Sequence, residues 1–94
     1  MKYILNLMGI VLMGARMEIE EKLQEIFQDI FDDDTIELFD DMNANDIEDW
    51  DSLAHIQLIV QIEKSFGIKF TTGEVASIKN VGEFISLVQE KVSF

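Results

Sequence analysis

Residues 49–68 read DWDSLAHIQLIVQIEKSFGI, and the order of residue types in this stretch decides the fold. Asp51 places a side-chain acceptor immediately before an apolar run, where a helix N-cap belongs. Leu53, Ile56, Leu58, Ile59, Val60, Ile62 and Phe66 follow at helical spacings and cover more than half of the circumference. Gly67 then supplies the residue type that most readily ends a helix in the left-handed conformation. A helix this apolar must be largely buried or must present apolar side chains to a partner. With Asp51 as cap, Ser52 is the first helical residue. Its hydroxyl projects beside free backbone N–H groups and the positive end of the helix dipole, a position that favours a bound or attached phosphate.

Downstream, Thr71-x-x-Glu74 is a capping box for a short helix over about 72–77. Asn80-x-x-Glu83 opens another over 81–92, with the stripe Val81, Phe84, Ile85, Val88 and Val92. Upstream, Ile19, Leu23, Ile26, Phe27, Ile30 and Phe31 form one helical stripe over about 18–31. Glu18, Glu20 and Glu21 suit the positive end of its dipole. Between the first two helices, residues 32–51 are rich in Asp and Asn and read as a long ordered loop. Ile36, Leu38, Phe39, Met42 and Ile47 are spaced to pin that loop to the core.

These segments, in a chain without proline, make the class all-α. The expected architecture is a four-helix bundle with a long loop between helices one and two and a short third helix. Ninety-four residues suffice for one such domain. Residues 1–16, MKYILNLMGIVLMGAR, differ in composition and read as an apolar N-terminal extension to a domain spanning 17–94: first an over-called start with Met17 the initiator, then a tail packed on the domain, then a targeting segment. The apolar run from Tyr3 to Met13 is too short to span a bilayer, and it lacks a small-x-small cleavage pair.

Lys plus Arg number 7 against 19 Asp plus Glu, a net charge of −12. Such a surface repels phosphate backbones and argues against nucleic-acid binding. The acids concentrate in residues 17–51, where Lys22 is the one base, so steering of a basic partner must come mainly from the first half. There is no Cys, which excludes disulfides, zinc-thiolate sites and a thiol nucleophile.

Two constellations invite chemistry. Asp41, Asn43, Asn45 and Asp49 match four positions of an EF-hand calcium loop, but Asp46 stands where glycine makes the turn and Ser52 where the bidentate glutamate belongs. No specific metal site is expected. Ser52 and His55 lie on one helix with no separate loop to orient them, so a serine hydrolase is not expected either. His55 reads as a solvated helix residue, and catalysis by this chain is rejected.

Asp51-Ser52-Leu53 opening an apolar helix, Glu63-Lys64-Ser65-Phe66-Gly67-Ile68 closing it, the short capped helix and a last helix beginning Asn80-Val81 together resemble the acyl carrier protein family over residues 17–94. The run Asp-Trp-Asp-Ser-Leu-Ala-His-Ile looks more like specialised carriers than the general fatty-acid one. The resemblance implies that a phosphopantetheinyl transferase esterifies Ser52 with 4′-phosphopantetheine from coenzyme A. The arm's thiol then holds acyl groups as thioesters, for delivery to enzymes of fatty-acid, lipid or specialised metabolite synthesis. It implies that Asp51 helps to present Ser52, and that Leu53, Ile59, Val60 and Glu63 face partners. By the same resemblance, Ile62, Phe70, Val75 and Ile78 line an acyl pocket. It further implies a cytoplasmic monomer that meets acyl-activating, synthase and acyltransferase enzymes and inserts into no membrane.

The departures from the family pattern are Asp49, where glycine is usual, and a second helix whose outer positions carry Gln57, Lys64 and Ser65 in place of acids. They point to a dedicated partner set. The alternatives are an aminoacyl or peptidyl carrier of the same fold, and a non-carrier acidic interaction or calcium-binding module.

Overall fold

A computed structural model describes residues 7–92. Its helices are α1 (Leu7–Phe31), α2 (Ser52–Phe66), α3 (Thr72–Ser77) and α4 (Val81–Val92). The described residues form no strand. Helix α1 packs against both α2 and α4.

The last three helices keep the bounds read from the sequence, because each is punctuated locally. Gly67 adopts φ 67° and donates its N–H to the Glu63 carbonyl at 2.9 Å. The Thr71 hydroxyl accepts from the Glu74 N–H at 3.1 Å, and the Glu74 carboxylate accepts from the Thr71 N–H at 2.8 Å. Asn80 Oδ1 accepts from the Glu83 N–H at 2.9 Å.

Helix α1 departs from expectation by starting at Leu7 rather than near residue 18. Composition changes around Met17, but Leu7, Met8, Leu12, Met13, Ala15 and Arg16 favour helix and outweigh Gly9 and Gly14, and no proline breaks the chain. The expected boundary between 1–16 and 17–94 therefore falls inside one continuous helix. Residues 1–6 lie outside the described part.

Leu23, Phe27, Leu58, Ile62, Val81, Phe84, Ile85 and Val88 are fully enclosed at the centre. Rings contribute much of this packing: Phe27 meets Trp50 edge-on at 5.3 Å and Phe84 edge-on at 6.1 Å. No buried charged side chain occurs among the described residues.

The loop over 32–51 forms turns rather than a helix and is stitched to its neighbours. From α1, Gln28 Nε2 donates to the Ile36 carbonyl at 3.0 Å, and Gln24 Oε1 accepts the Leu38 N–H at 3.0 Å. The first amides of α4 also reach it, Val81 N–H to the Met42 carbonyl at 2.9 Å and Gly82 N–H to Asp40 at 2.8 Å. Gly82 suits this approach, since a Cβ there would stand 3.1 Å from the Asp40 oxygen. Ile36 and Met42 are buried and Leu38 and Ile47 half-buried, as their spacing suggests. Phe39 is the exception, half exposed beside Met17, because the turn that buries Met42 carries its neighbours outward.

Candidate functional site

Asp51 sits in extended backbone and accepts the Ala54 N–H on Oδ1 at 2.9 Å. The helical ladder begins with His55 N–H to the Asp51 carbonyl at 2.9 Å. The amides of Ser52 and Leu53 therefore precede the ladder, and both side chains are exposed. The Ser52 hydroxyl has no hydrogen-bond partner among the described residues. It stands at the edge of an open groove of ≈ 540 Å³ between the start of α2 and α3. Trp50, His55, Ile56, Val75 and Ile78 line the groove with it.

His55 is not the solvated residue expected. Trp50 donates its indole N–H to His55 Nδ1 at 3.2 Å, and the two rings stack at 6.2 Å with 19° between planes. Because Nδ1 accepts, the ring proton belongs on Nε2, which faces the Val75 carbonyl at 3.3 Å. His55 thus ties α2 to α3. Its partners are five residues back and twenty ahead, and no local pattern announces them. Both ring nitrogens are engaged by these two partners.

The expected partner-facing strip divides. Leu53 is 67% and Val60 42% exposed, and Ile56, which the sequence reading left out of this strip, is 51% exposed. These three share one face of α2. Ile59 belongs to the core at 5% exposure, because it falls on the side of α2 that packs inward with Leu58 and Ile62. Glu63 is half-buried, and its carboxylate accepts the Phe70 N–H at 2.9 Å, so it closes the α2–α3 connection.

The expected acyl-pocket residues divide as well. Val75 and Ile78 line the groove. Ile62 is enclosed in the core, and Phe70 lies under Lys91, whose ammonium is 5.8 Å from the ring centre. Neither opens onto the groove. At the EF-hand-like stretch, Asn43 Oδ1 accepts from the Asn45 N–H at 2.8 Å and the Asp46 carboxylate from the Asn43 N–H at 3.0 Å. These side chains are spent on the turn. Among the described residues no cluster of His, Asp and Glu is arranged to hold a metal ion.

Comparison with known proteins places the chain in a family. The family model described as "phosphopantetheine attachment site" matches residues 21–88. The chain belongs to the acyl carrier protein family. It is 30% identical over 73 residues to polyketide-8 synthase acyl carrier protein 2 of Streptomyces avermitilis, covering 78% of this chain and 84% of that one. It is 29% identical to the acyl carrier protein of Lactobacillus acidophilus, covering 77% and 90%. The solution structure of a holo acyl carrier protein from Geobacter metallireducens superposes with a TM-score of 0.75 at 46% identity, covering 79% of this chain and 85% of that one. The helical bundle is the family's, the role is that of a carrier, and the prosthetic group is phosphopantetheine. Carrier domains are generally not catalytic.

The residues present fit that group. An unpartnered hydroxyl stands beside two amides that precede the helix ladder, and the Asp51 carboxylate is turned into its own cap. The groove beside it is open to solvent and has room for an arm.

Proposed function

We propose that Ser52 is the attachment residue, and that this chain holds acyl groups on a phosphopantetheine arm for dedicated synthase and acyltransferase enzymes. The observation that carries this reading is the exposed, unpartnered Ser52 hydroxyl at the N-terminus of α2, at the mouth of an apolar groove. In the loading step Ser52 Oγ bonds to the pantetheine-bearing phosphorus of coenzyme A, and the pyrophosphate P–O bond breaks. Adenosine 3′,5′-bisphosphate leaves, and the serine proton passes to a base on the transferase. The bound arm supplies a thiol that carries the acyl group as a thioester.

The chain's own residues hold and present. Asp51 caps α2 and keeps Ser52 at its tip. Leu53, Ile56 and Val60 offer a neighbouring enzyme an apolar strip, flanked by the uncharged Gln57 and Gln61. Glu63 is engaged with Phe70, so α2 itself contributes little steering charge. The acids of α1 and the long loop do that instead, which supports a dedicated partner set. His55 is engaged by Trp50 and Val75, which leaves loading of Ser52 to the transferase's own base and suits a carrier rather than a catalyst.

An acyl cargo is favoured over an aminoacyl one by the relatives, which include a polyketide synthase carrier and a meromycolate extension carrier of Mycolicibacterium aurum. No described helix is long and apolar enough to cross a membrane. We read the protein as a cytoplasmic monomer that binds no nucleic acid. Because the chain has no Cys, a thiol reagent reports the arm directly. Treatment with coenzyme A and a phosphopantetheinyl transferase raises titratable thiol from none to one per chain. A chain that stays without thiol contradicts the reading.

A further inference from the structure

The groove beside Ser52 stops at two rings. Trp50 and His55 line it, whereas Phe84, immediately behind them, is fully enclosed. Trp50 and His55 stack at 6.2 Å, and Phe84 backs both, 6.4 Å from Trp50 and 5.6 Å from His55, so the two rings and the one behind them leave no gap. Two hydrogen bonds fix that wall in place, Trp50 Nε1–H to His55 Nδ1 and His55 Nε2–H to the Val75 carbonyl on α3. A chain passing from the groove into the bundle must part both bonds and displace a ring. Of the residues expected to line a pocket, Val75 and Ile78 line the groove, whereas Ile62 is enclosed in the core.

We propose that Trp50 and His55 close the interior of the bundle behind the groove, so that this carrier shelters only the first carbons of an acyl chain in the groove, whatever the chain's length, and leaves the remainder exposed to solvent and partners. This rests on attachment at Ser52. A carrier that admits its cargo to the core shields the thioester more as the chain lengthens, since each methylene withdrawn from water favours the buried state by about fourfold. A carrier closed at the groove shows no such gradient.

The test loads the full chain from butyryl-, octanoyl- and dodecanoyl-coenzyme A with a phosphopantetheinyl transferase, then follows thioester cleavage by hydroxylamine through intact mass. The three wild-type rates should agree within about twofold, against the steep gradient that burial of added methylenes would give. His55→Ala removes the ring and both bonds, and should slow dodecanoyl cleavage relative to butyryl by more than about tenfold. His55→Gln keeps bulk and a donor toward Val75, and should restore the flat wild-type pattern while a merely destabilising change would not. If His55→Ala does not fold, Trp50→Phe, which keeps a ring and removes the indole donor, takes its place with a smaller gradient. A graded wild-type series overturns the closure while leaving attachment at Ser52 intact, and an opened variant as flat as wild type does the same. No mass gain at all overturns both.

Discussion

The Asp51 carboxylate accepts the Ala54 amide proton at 2.9 Å, and the Asp51 carbonyl receives the His55 amide at the same distance. One residue therefore terminates α2 twice, and Ser52 is left at the tip with its side chain in solvent. Asp51→Ala should destabilise the fold by about 1 kcal/mol, the usual worth of an N-cap, and Asp51→Asn by much less. Urea denaturation measures both. Equal stability of Asp51→Ala and wild type would show that the cap is not what ends α2.

Phe84 lies within 5.6–6.4 Å, ring to ring, of Phe27, Trp50 and His55 and has no exposed surface. Truncation to Ala should cost about 3–5 kcal/mol, a large part of what a small domain possesses. Phe84→Leu should cost much less, and the difference between the two appears in their denaturation midpoints. A loss below about 1 kcal/mol for Phe84→Ala would mean that the ring cluster is not the centre of the core.

The Glu74 carboxyl is held below its ordinary 4.5 chiefly by the Thr71 N–H, with Lys91 adding a bond at 2.9 Å. A depressed carboxylate stabilises the fold above its unfolded value, and that contribution is lost as pH falls through the folded one. The stability gap between wild type and Glu74→Gln should therefore be present at neutral pH and close on acidification below about 4.5. Thermal denaturation across pH 3–7 reads it. A gap that widens toward acid would reverse the assignment.

Nineteen acids against seven bases repel one another in the folded state. Ion pairs such as the exposed Arg16–Glu20 and Arg16–Asp40 and the half-buried Lys91–Glu74 offset only a small part of this. Raising ionic strength from about 0.01 to 0.15 M shortens the screening length from about 30 to 8 Å. The melting temperature should rise over that range. A flat or falling response would show that the acids are already neutralised.

The sequence discloses what is encoded within a few residues. The starts of α2, α3 and α4 follow from Asp51, Thr71 and Asn80, each bonded to an amide three residues on, and Gly67 marks the end of α2. Ser52 is legible for the same reason, since its exposure depends on the cap beside it. The start of α1 is not legible, because helix formers continue across the change in composition at Met17. A helix apolar over half its circumference does not say which apolar residue faces inward, and Ile59 and Ile56 are exchanged on that account. His55 is hidden most completely. Its second partner is the carbonyl of Val75, a backbone atom twenty residues away that no residue type specifies.

The central claim is covalent attachment at Ser52. The direct measurement is the intact mass of wild type and Ser52→Ala after incubation with coenzyme A and a phosphopantetheinyl transferase, with circular dichroism showing that both are folded. The account predicts a gain of one phosphopantetheine on wild type and none on the variant. Addition to folded Ser52→Ala, or no addition to wild type with the source organism's own transferase, would contradict it.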